Sequence, residues 1–351
     1  MRNGKFGFGI VGCGVISEAH IKGIETSDKA ELVAVGDIIR DRAEKISQNH
    51  PDKPTSYTDY KDLVVDPKVD IVCVCTPSGL HGEVAIAAAN SGRHILCEKP
   101  LEIKLDRIDR MIAAAEKNNV KLGCVFQNRT YESSQKIKEA VQSGKLGKMV
   151  LGDAYLKYYR SQAYYQSAGW RGTWKLDGGG ALMNQGVHGV DLLLWIMGEV
   201  DTVYAKTRTM ARNIEVEDTA LAMLQFKNGA LGILEATTSV NPGENTRLEF
   251  NGKLGTIIYE GSNVKRWAIT EGEDALAQEI KVESTETHSG GVSDPKAISY
   301  AGHIKLIADI IAAVENNRQP LVTAESASKP VELILAIYES SHRGKEIKLP
   351  L

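Results

Sequence analysis

Short apolar runs alternating with helix-patterned stretches open the chain. Phe6–Val11, Ala30–Gly36, Val69–Cys75, His94–Glu98 and Lys121–Phe126 read as strands. Between them Glu18–Thr26, Arg40–Asn49, Gly82–Ser91 and Leu105–Asn118 carry helical composition. Apolar strands joined by crossover helices predict a doubly wound parallel sheet. From Met149 the pattern becomes longer and alternating: Met149–Tyr158, Val200–Met210, Thr219–Phe226, Ala230–Thr238, Thr246–Asn251 and Gly255–Tyr259. Asn228-Gly229 and Asn251-Gly252 punctuate these runs, which argues hairpins and a largely antiparallel, open sheet. Two helical patterns follow, around Ile298–Asn316 and Ala324–Ser340, after a polar stretch, Asp274–Asp294, read as a loop or irregular strand pair. The expected division is an α/β domain over 1–126 and an α+β domain over 127–351.

A length of 351 residues agrees with two domains. With 42% hydrophobic and 25% charged residues and a formal net charge of -3, nothing points to nucleic acid or a membrane surface. No apolar run approaches the roughly 20 residues of a spanning helix. The opening MRNGKFGFGIVG enters a strand directly, so no signal peptide and a cytoplasmic location are expected. The five cysteines sit in apolar, strand-like surroundings without a CxxC pair, as reduced core thiols would.

Two glycine registers overlap at the start. Gly7-x-Gly9-x-x-Gly12 would put the turn inside the strand, whereas Gly12-x-Gly14-x-x-Ser17 follows the strand and opens a helix. In the second, Gly12 makes the turn, Gly14 admits a pyrophosphate, and Val15 and Ile16 lead into the helix N-terminus. Asp37 ends the next strand, where a carboxylate can bind ribose hydroxyls and repel a 2′-phosphate, so NAD is expected. Arg40, three residues on, keeps NADP as the alternative.

HILCEKPLE places Glu98, Lys99 and Pro100 directly after a strand, at the end of the sheet that faces a ligand crevice. A cationic nicotinamide ring nearby would disfavour the lysine ammonium and make Lys99 useful in proton transfer. Far downstream, GGGALMNQGVHGVD places Asn184, His188 and Asp191 on one face if it is an ordinary α-helix. A zinc site needs three or four ligands, and Asn184 is a poor one, so no metal is expected. The segment before the glycines, YYRSQAYYQSAGWRGTWKLD, offers Tyr164, Trp170 and Trp174 for sugar C–H faces, and Arg160 and Arg171 for hydroxyls or anions. Gln127 and Arg129, in FQNR after the last strand of the first domain, are further substrate-side candidates.

VGCGVIS, CTPSGLH, CEKP and GGGALMNQGVHGVD occur in the order seen in the Gfo/Idh/MocA oxidoreductases, which the chain resembles over nearly its whole length. The resemblance implies a Rossmann domain followed by an open-sheet domain that commonly forms dimers or tetramers. It also implies hydride transfer between a nicotinamide and a secondary hydroxyl of a sugar or cyclitol. Lys99 then matches the catalytic lysine and His188 the catalytic histidine, while Thr76, Pro77 and His81 match the loop lining the cofactor. Asn184 stands where inositol dehydrogenase-like members carry an aspartate, so it can hold a proton path without accepting the proton. WRGTW beside the glycines looks like the sugar 3-dehydrogenase-type members. Two other readings stand beside a dehydrogenase: redox-assisted glycoside cleavage through a transient 3-keto sugar, and a non-catalytic sugar or nucleotide sensor on the same fold.

Overall fold

The computed structural model describes residues 4–272, 275–280 and 299–351. Two compact units emerge: one takes in the chain to Gln127 together with Ser299–Ser328, the other the chain from Asn128 together with Lys329–Leu351. Sequence order had grouped everything after residue 126, but the contacts return 299–328 to the first unit.

In the first unit β1 (Phe6–Val11), β2 (Ala30–Gly36), β3 (Thr55–Tyr57), β4 (Ile71–Val74), β5 (His94–Cys97) and β6 (Leu122–Cys124) form one sheet in the order β3-β2-β1-β4-β5-β6. Every adjacent pair is parallel. This is the strand order of dinucleotide-binding folds, with the reversal beside β1. The crossovers are α1 (Ser17–Glu25), α2 (Arg40–Asn49), α3 (Tyr60–Val65), α4 (His81–Asn90) and α5 (Leu105–Lys117). All six positions of β1 are buried, which is why its sequence shows no polar alternation.

The second unit carries α6 (Glu132–Gln142), α7 (Gln162–Gln166) and α8 (Val187–Met197). Its sheet is built from β7 (Met149–Lys157), β8 (Val200–Arg208), β9 (Thr219–Phe226), β10 (Leu231–Thr237), β11 (Arg247–Gly252), β12 (Gly255–Glu260), β13 (Asn263–Ile269), β14 (Gln278–Glu279) and β15 (Ile347–Lys348). They run in the order β14-β13-β12-β11-β7-β10-β9-β8-β15. Pairing is antiparallel apart from β7 with β10. Alternation in β9 buries Ala220, Ala222, Leu224 and Phe226 on the inner face. The inner face lies against α8, where Leu156 on β7 packs at Gly189.

Helix α9 (Ala301–Glu315) packs against α1, with Ile307 against Gly23, so a late helix completes the first unit. Helix α10 (Ala324–Arg343) closes the chain's helical part. The expectation for Asp274–Asp294 falls mostly outside the described residues; of its span the structure describes 275–280, which includes β14. All five cysteines are buried and free. Among the described residues no helix is long and apolar enough to cross a membrane.

Candidate active site

The nucleotide end is built at the turn from β1 into α1. Gly12 has φ +99°, and a Cβ there would meet the Cys75 carbonyl oxygen at 2.5 Å, so glycine is required. At Gly14 a built Cβ meets nothing within 4 Å, which leaves open space over the turn. Val15 is exposed, and Ile16 precedes the first residue of α1. Ser17, in the third glycine place, donates its hydroxyl to the Gly14 carbonyl at 2.6 Å and is buried. Asp37 accepts the Cys13 amide at 2.9 Å on one oxygen and the Ile39 amide at 2.8 Å on the other. A carboxylate has about four lone-pair sites, so this anchoring leaves acceptor capacity for hydroxyls. The open glycine turn, helix N-terminus and fixed carboxylate fit a dinucleotide. Arg40 lies away from this carboxylate, paired with Glu44 at 3.6 Å; the arginine beside Asp37 is Arg42, at 4.0 Å.

The second strand-end cluster lies beyond β4 and β5. Pro77 precedes a single 3-10 turn, Ser78–Leu80, and His81 begins α4. The ring nitrogens of His81 face the carbonyl oxygens of Thr76 at 2.9 Å and Pro100 at 2.8 Å. Buried to 1% exposure, His81 braces the two loops against each other instead of reaching open space. Lys99 is half-buried, and its backbone amide donates to Glu98 Oε2 at 3.2 Å. Glu98 Oε1 in turn accepts from Nε2 of His20 at 2.9 Å and Nε2 of His303 at 3.1 Å. Burial opposes charge on Glu98, but the two imidazole hydrogen bonds outweigh it and hold the carboxyl well below its usual range. Burial pushes His20 below its ordinary value.

The ligand-type atoms of His20, Glu98 and His303 lie within 4.8 Å of one another. Metal-bound imidazoles normally hand their second ring N–H to an acceptor. Here Nδ1 of His20 and of His303 are both buried without a partner, so the arrangement reads as a hydrogen-bonded clamp. Gln127, also in this unit, packs against Gly302 of α9, where a Cβ would come within 2.4 Å of it.

In the second unit the glycine-rich segment departs from the expected α-helix. Ala181–Gly186 is π-helical and becomes α-helical at Val187, so Asn184 stands in the π turn while His188 and Asp191 keep i, i+3 spacing within α8. Asn184 donates its amide to the buried carboxylate of Asp177 and accepts from Gln185 Nε2 at 2.7 Å. Gln185 accepts from Arg160 Nε at 2.9 Å, so hydrogen bonds run in one direction, Arg160 to Gln185 to Asn184 to Asp177. Tyr164 joins this chain: its hydroxyl bonds Gln185 at 2.8 Å and accepts from Arg171. The Arg171 guanidinium lies 4.3 Å from the Tyr164 ring centroid and 4.6 Å from that of Trp170. His188 is half-buried in the first turn of α8.

Two further substrate-side candidates are engaged by side chains of this unit. Arg129 is 3% exposed and forms a two-pronged ion pair with Asp191, at 2.9 and 2.5 Å, so its guanidinium is committed to the core of this unit. Trp174 stacks edge-on against Tyr338 at 5.2 Å and stands outside the Arg160–Asp177 chain.

A family description, "Oxidoreductase family, NAD-binding Rossmann fold", matches residues 6–126, and a GFO/IDH/MocA C-terminal domain matches residues 134–258. The chain belongs to the Gfo/Idh/MocA oxidoreductase family. The myo-inositol 2-dehydrogenase of Thermotoga maritima is 27% identical over 97% of this chain and 98% of its own. The scyllo-inositol 2-dehydrogenase (NAD(+)) of Bacillus subtilis is 25% identical over 97% of this chain and 95% of its own. The WlbA dehydrogenase of Bordetella pertussis, solved with NADH and UDP-GlcNAcA, is 32% identical with a TM-score of 0.85, covering 99% of both chains. This Gfo/Idh/MocA protein is an NAD-dependent dehydrogenase acting on CH–OH groups.

Several residues of this Gfo/Idh/MocA chain were not singled out from sequence. Asp177 carried a signal, standing directly before the glycine run. Gln185 stands inside the glycine–histidine segment, next to Asn184. His20, His303, Glu217 and Tyr338 are brought in by tertiary packing across long sequence separations, and no local pattern marks them.

Proposed function

We propose that the protein oxidises a secondary hydroxyl of a sugar, sugar derivative or cyclitol, with Lys99 and His188 as its acid/base pair. The observation that carries this reading is the directed chain Arg160–Gln185–Asn184–Asp177, whose Asn184 and Gln185 stand one turn of the segment before His188. A chain of neutral amides ending on a carboxylate fixes both amide orientations and suits recognition of hydroxyl groups. The sugar- and cyclitol-directed names of the relatives support the same substrate class.

Gly12, Gly14, Val15, Ile16, Asp37, Thr76 and Pro77 would hold NAD, which would supply the hydride-accepting ring. His188 or Lys99 takes the hydroxyl proton, and Lys99 stabilises the negative charge that develops on oxygen. Asn184 orients the hydroxyl, and Asp177 fixes the Asn184 amide. Tyr164, Trp170 and Arg171 form the wall for the rest of the substrate; Arg129 is left out, since its charge is already paired with Asp191. A panel of inositols, aldoses, glycosides and UDP-sugars, read by NADH absorbance and product mass, tests the proposal. Net NADH with a ketone product is expected; sugar release without NADH would replace it with redox-assisted cleavage.

We further propose a homodimer or homotetramer built on the outer face of the second sheet. Leu151, Leu221, Met223, Leu231 and Ile233 are exposed there on adjacent strands, with Leu231 opposite Leu151 and Ile233 opposite Met223. An apolar patch of this kind marks a protein contact. Light scattering is expected to show an oligomer for the native chain and a monomer for Met223→Glu/Ile233→Lys. A monomeric native chain contradicts the proposal. The reduced, buried cysteines fit a cytoplasmic setting.

A further inference from the structure

The glycine run meets protein groups on both sides. A Cβ at Gly180 would lie 2.1 Å from the Glu217 carbonyl oxygen, and one at Gly179 would lie 2.0 Å from the Tyr338 hydroxyl. The glycines therefore let Glu217 and Tyr338 approach the backbone of the segment.

The start of a helix leaves its first backbone N–H groups without intrahelical partners. The residue before this π turn, Gly180, has no side chain to cap them. Glu217, on the loop before β9, takes over the task from 37 residues away. Its carboxylate accepts the Gly180 amide at 3.0 Å and the Leu182 amide at 2.9 Å. Its backbone carbonyl accepts the Ala181 amide at 3.1 Å. Tyr338, from α10, donates its hydroxyl to the same carboxylate at 2.9 Å, and its oxygen receives the Met183 amide. Four successive amides are thus held by Glu217 and Tyr338.

We propose that Glu217 is a positioning residue: its ionised carboxylate, with Tyr338, holds the π turn that carries Asn184 and leads to His188, and protonation loosens that hold. The inference rests on the reading of Asn184 and His188 given above. Glu217 is 2% exposed, and burial pushes its carboxyl up to about 7 against the pull of its hydrogen bonds. The other titratable groups facing it are Tyr338 on α10 and Tyr165 on α7, and Asp177, before the glycines, acts on both tyrosines. Asp218 turns the other way, onto the amides of Met210, Ala211 and Arg212.

The sign follows from the direction of the shift. A carboxyl raised on folding binds its proton more readily in the native state, so protonation near pH 7 does not unfold the chain. It changes the local bonds instead. Gly180, Leu182 and Tyr338 all aim donors at the carboxylate, and a neutral carboxyl must itself find an acceptor. The Tyr338 hydroxyl can rotate to become one, while the two amide bonds lose their charge assistance.

Trp174 reports on this pair, because its ring meets Tyr338 edge-on at 5.2 Å. Tryptophan fluorescence of the NAD-loaded full chain, titrated from about pH 5 to about pH 9, is expected to show a transition near 7. Glu217→Gln removes that transition and lowers kcat by about 10- to 100-fold, with KM for NAD within about twofold. His188→Asn keeps the transition, so a failure of the catalytic assignment is distinguishable from a failure of this inference. If Glu217→Gln does not fold, Tyr338→Phe decides: losing a donor to the carboxylate moves the midpoint upward. A transition unchanged in Glu217→Gln, or unmoved in Tyr338→Phe, overturns the inference.

Discussion

Replacing Lys99 by methionine is expected to abolish turnover while cofactor binding persists. Methionine keeps the length of the side chain and removes the ammonium. The local backbone has independent support, since the Lys99 amide is held by Glu98 and Glu98 by His20 and His303. Those three side chains are unchanged in the variant, so the loop after β5 keeps its course. What is lost is proton handling and charge stabilisation at the reacting oxygen, together worth about 10²- to 10⁴-fold in kcat. Steady-state rates and NADH titration by fluorescence separate the two effects. Binding within about twofold of the native value with kcat reduced by at least about 10²-fold is expected. A Lys99→Met enzyme within about tenfold of native activity removes Lys99 from the chemistry.

Arg129→Met is expected to cost about 3–5 kcal/mol of stability, because it leaves the Asp191 carboxylate buried without its partner. The pair is nearly inaccessible, at 4% and 1% side-chain exposure, and both guanidinium prongs reach the carboxylate. The Trp195 ring lies 5.7 Å from the Arg129 guanidinium carbon and adds a second reason for the arginine to stay. The pair itself is a different matter. Two charges withdrawn from water recover little more than their desolvation cost, so Arg129→Met/Asp191→Leu should regain most of the loss. Denaturant midpoints for both variants check this. A single variant costing under about 1 kcal/mol means that Asp191 is not the partner on which Arg129 depends.

The first unit was legible because its sequence states its fold twice. Its strands appear as unbroken apolar runs, and its turn chemistry at Gly12, Gly14 and Asp37 sits where the strand order needs it. Short elements escaped: β3 and α3 carry only a few residues each and no clear period. Helix α6 was also missed, although its buried positions Ile137, Ala140 and Val141 follow helical spacing. In the second unit the alternation of β9 and β10 shows one face buried and one exposed, and the exposed face is apolar as well.

The glycine–histidine segment was legible in part. Its residues stand out in the sequence, but 3.6-residue periodicity does not describe Ala181–Gly186, which is π-helical. Asn184 bonds Asp177 and Gln185 there, whereas Asp191, on α8, bonds Arg129. The start of the π turn is held from outside the segment, by Glu217 and Tyr338. A local pattern cannot reveal an anchor that arrives from another strand and from the last helix. The same holds for His303, which reaches Glu98 from a helix 205 residues downstream.

Hydride transfer itself is the most direct test. The substrate class that responds in the product panel is prepared with deuterium on the carbon bearing the reactive hydroxyl and incubated with NAD. The account predicts reduced nicotinamide one mass unit heavier, formed in equal amount with a ketone product. A product released while the nicotinamide gains no deuterium contradicts it.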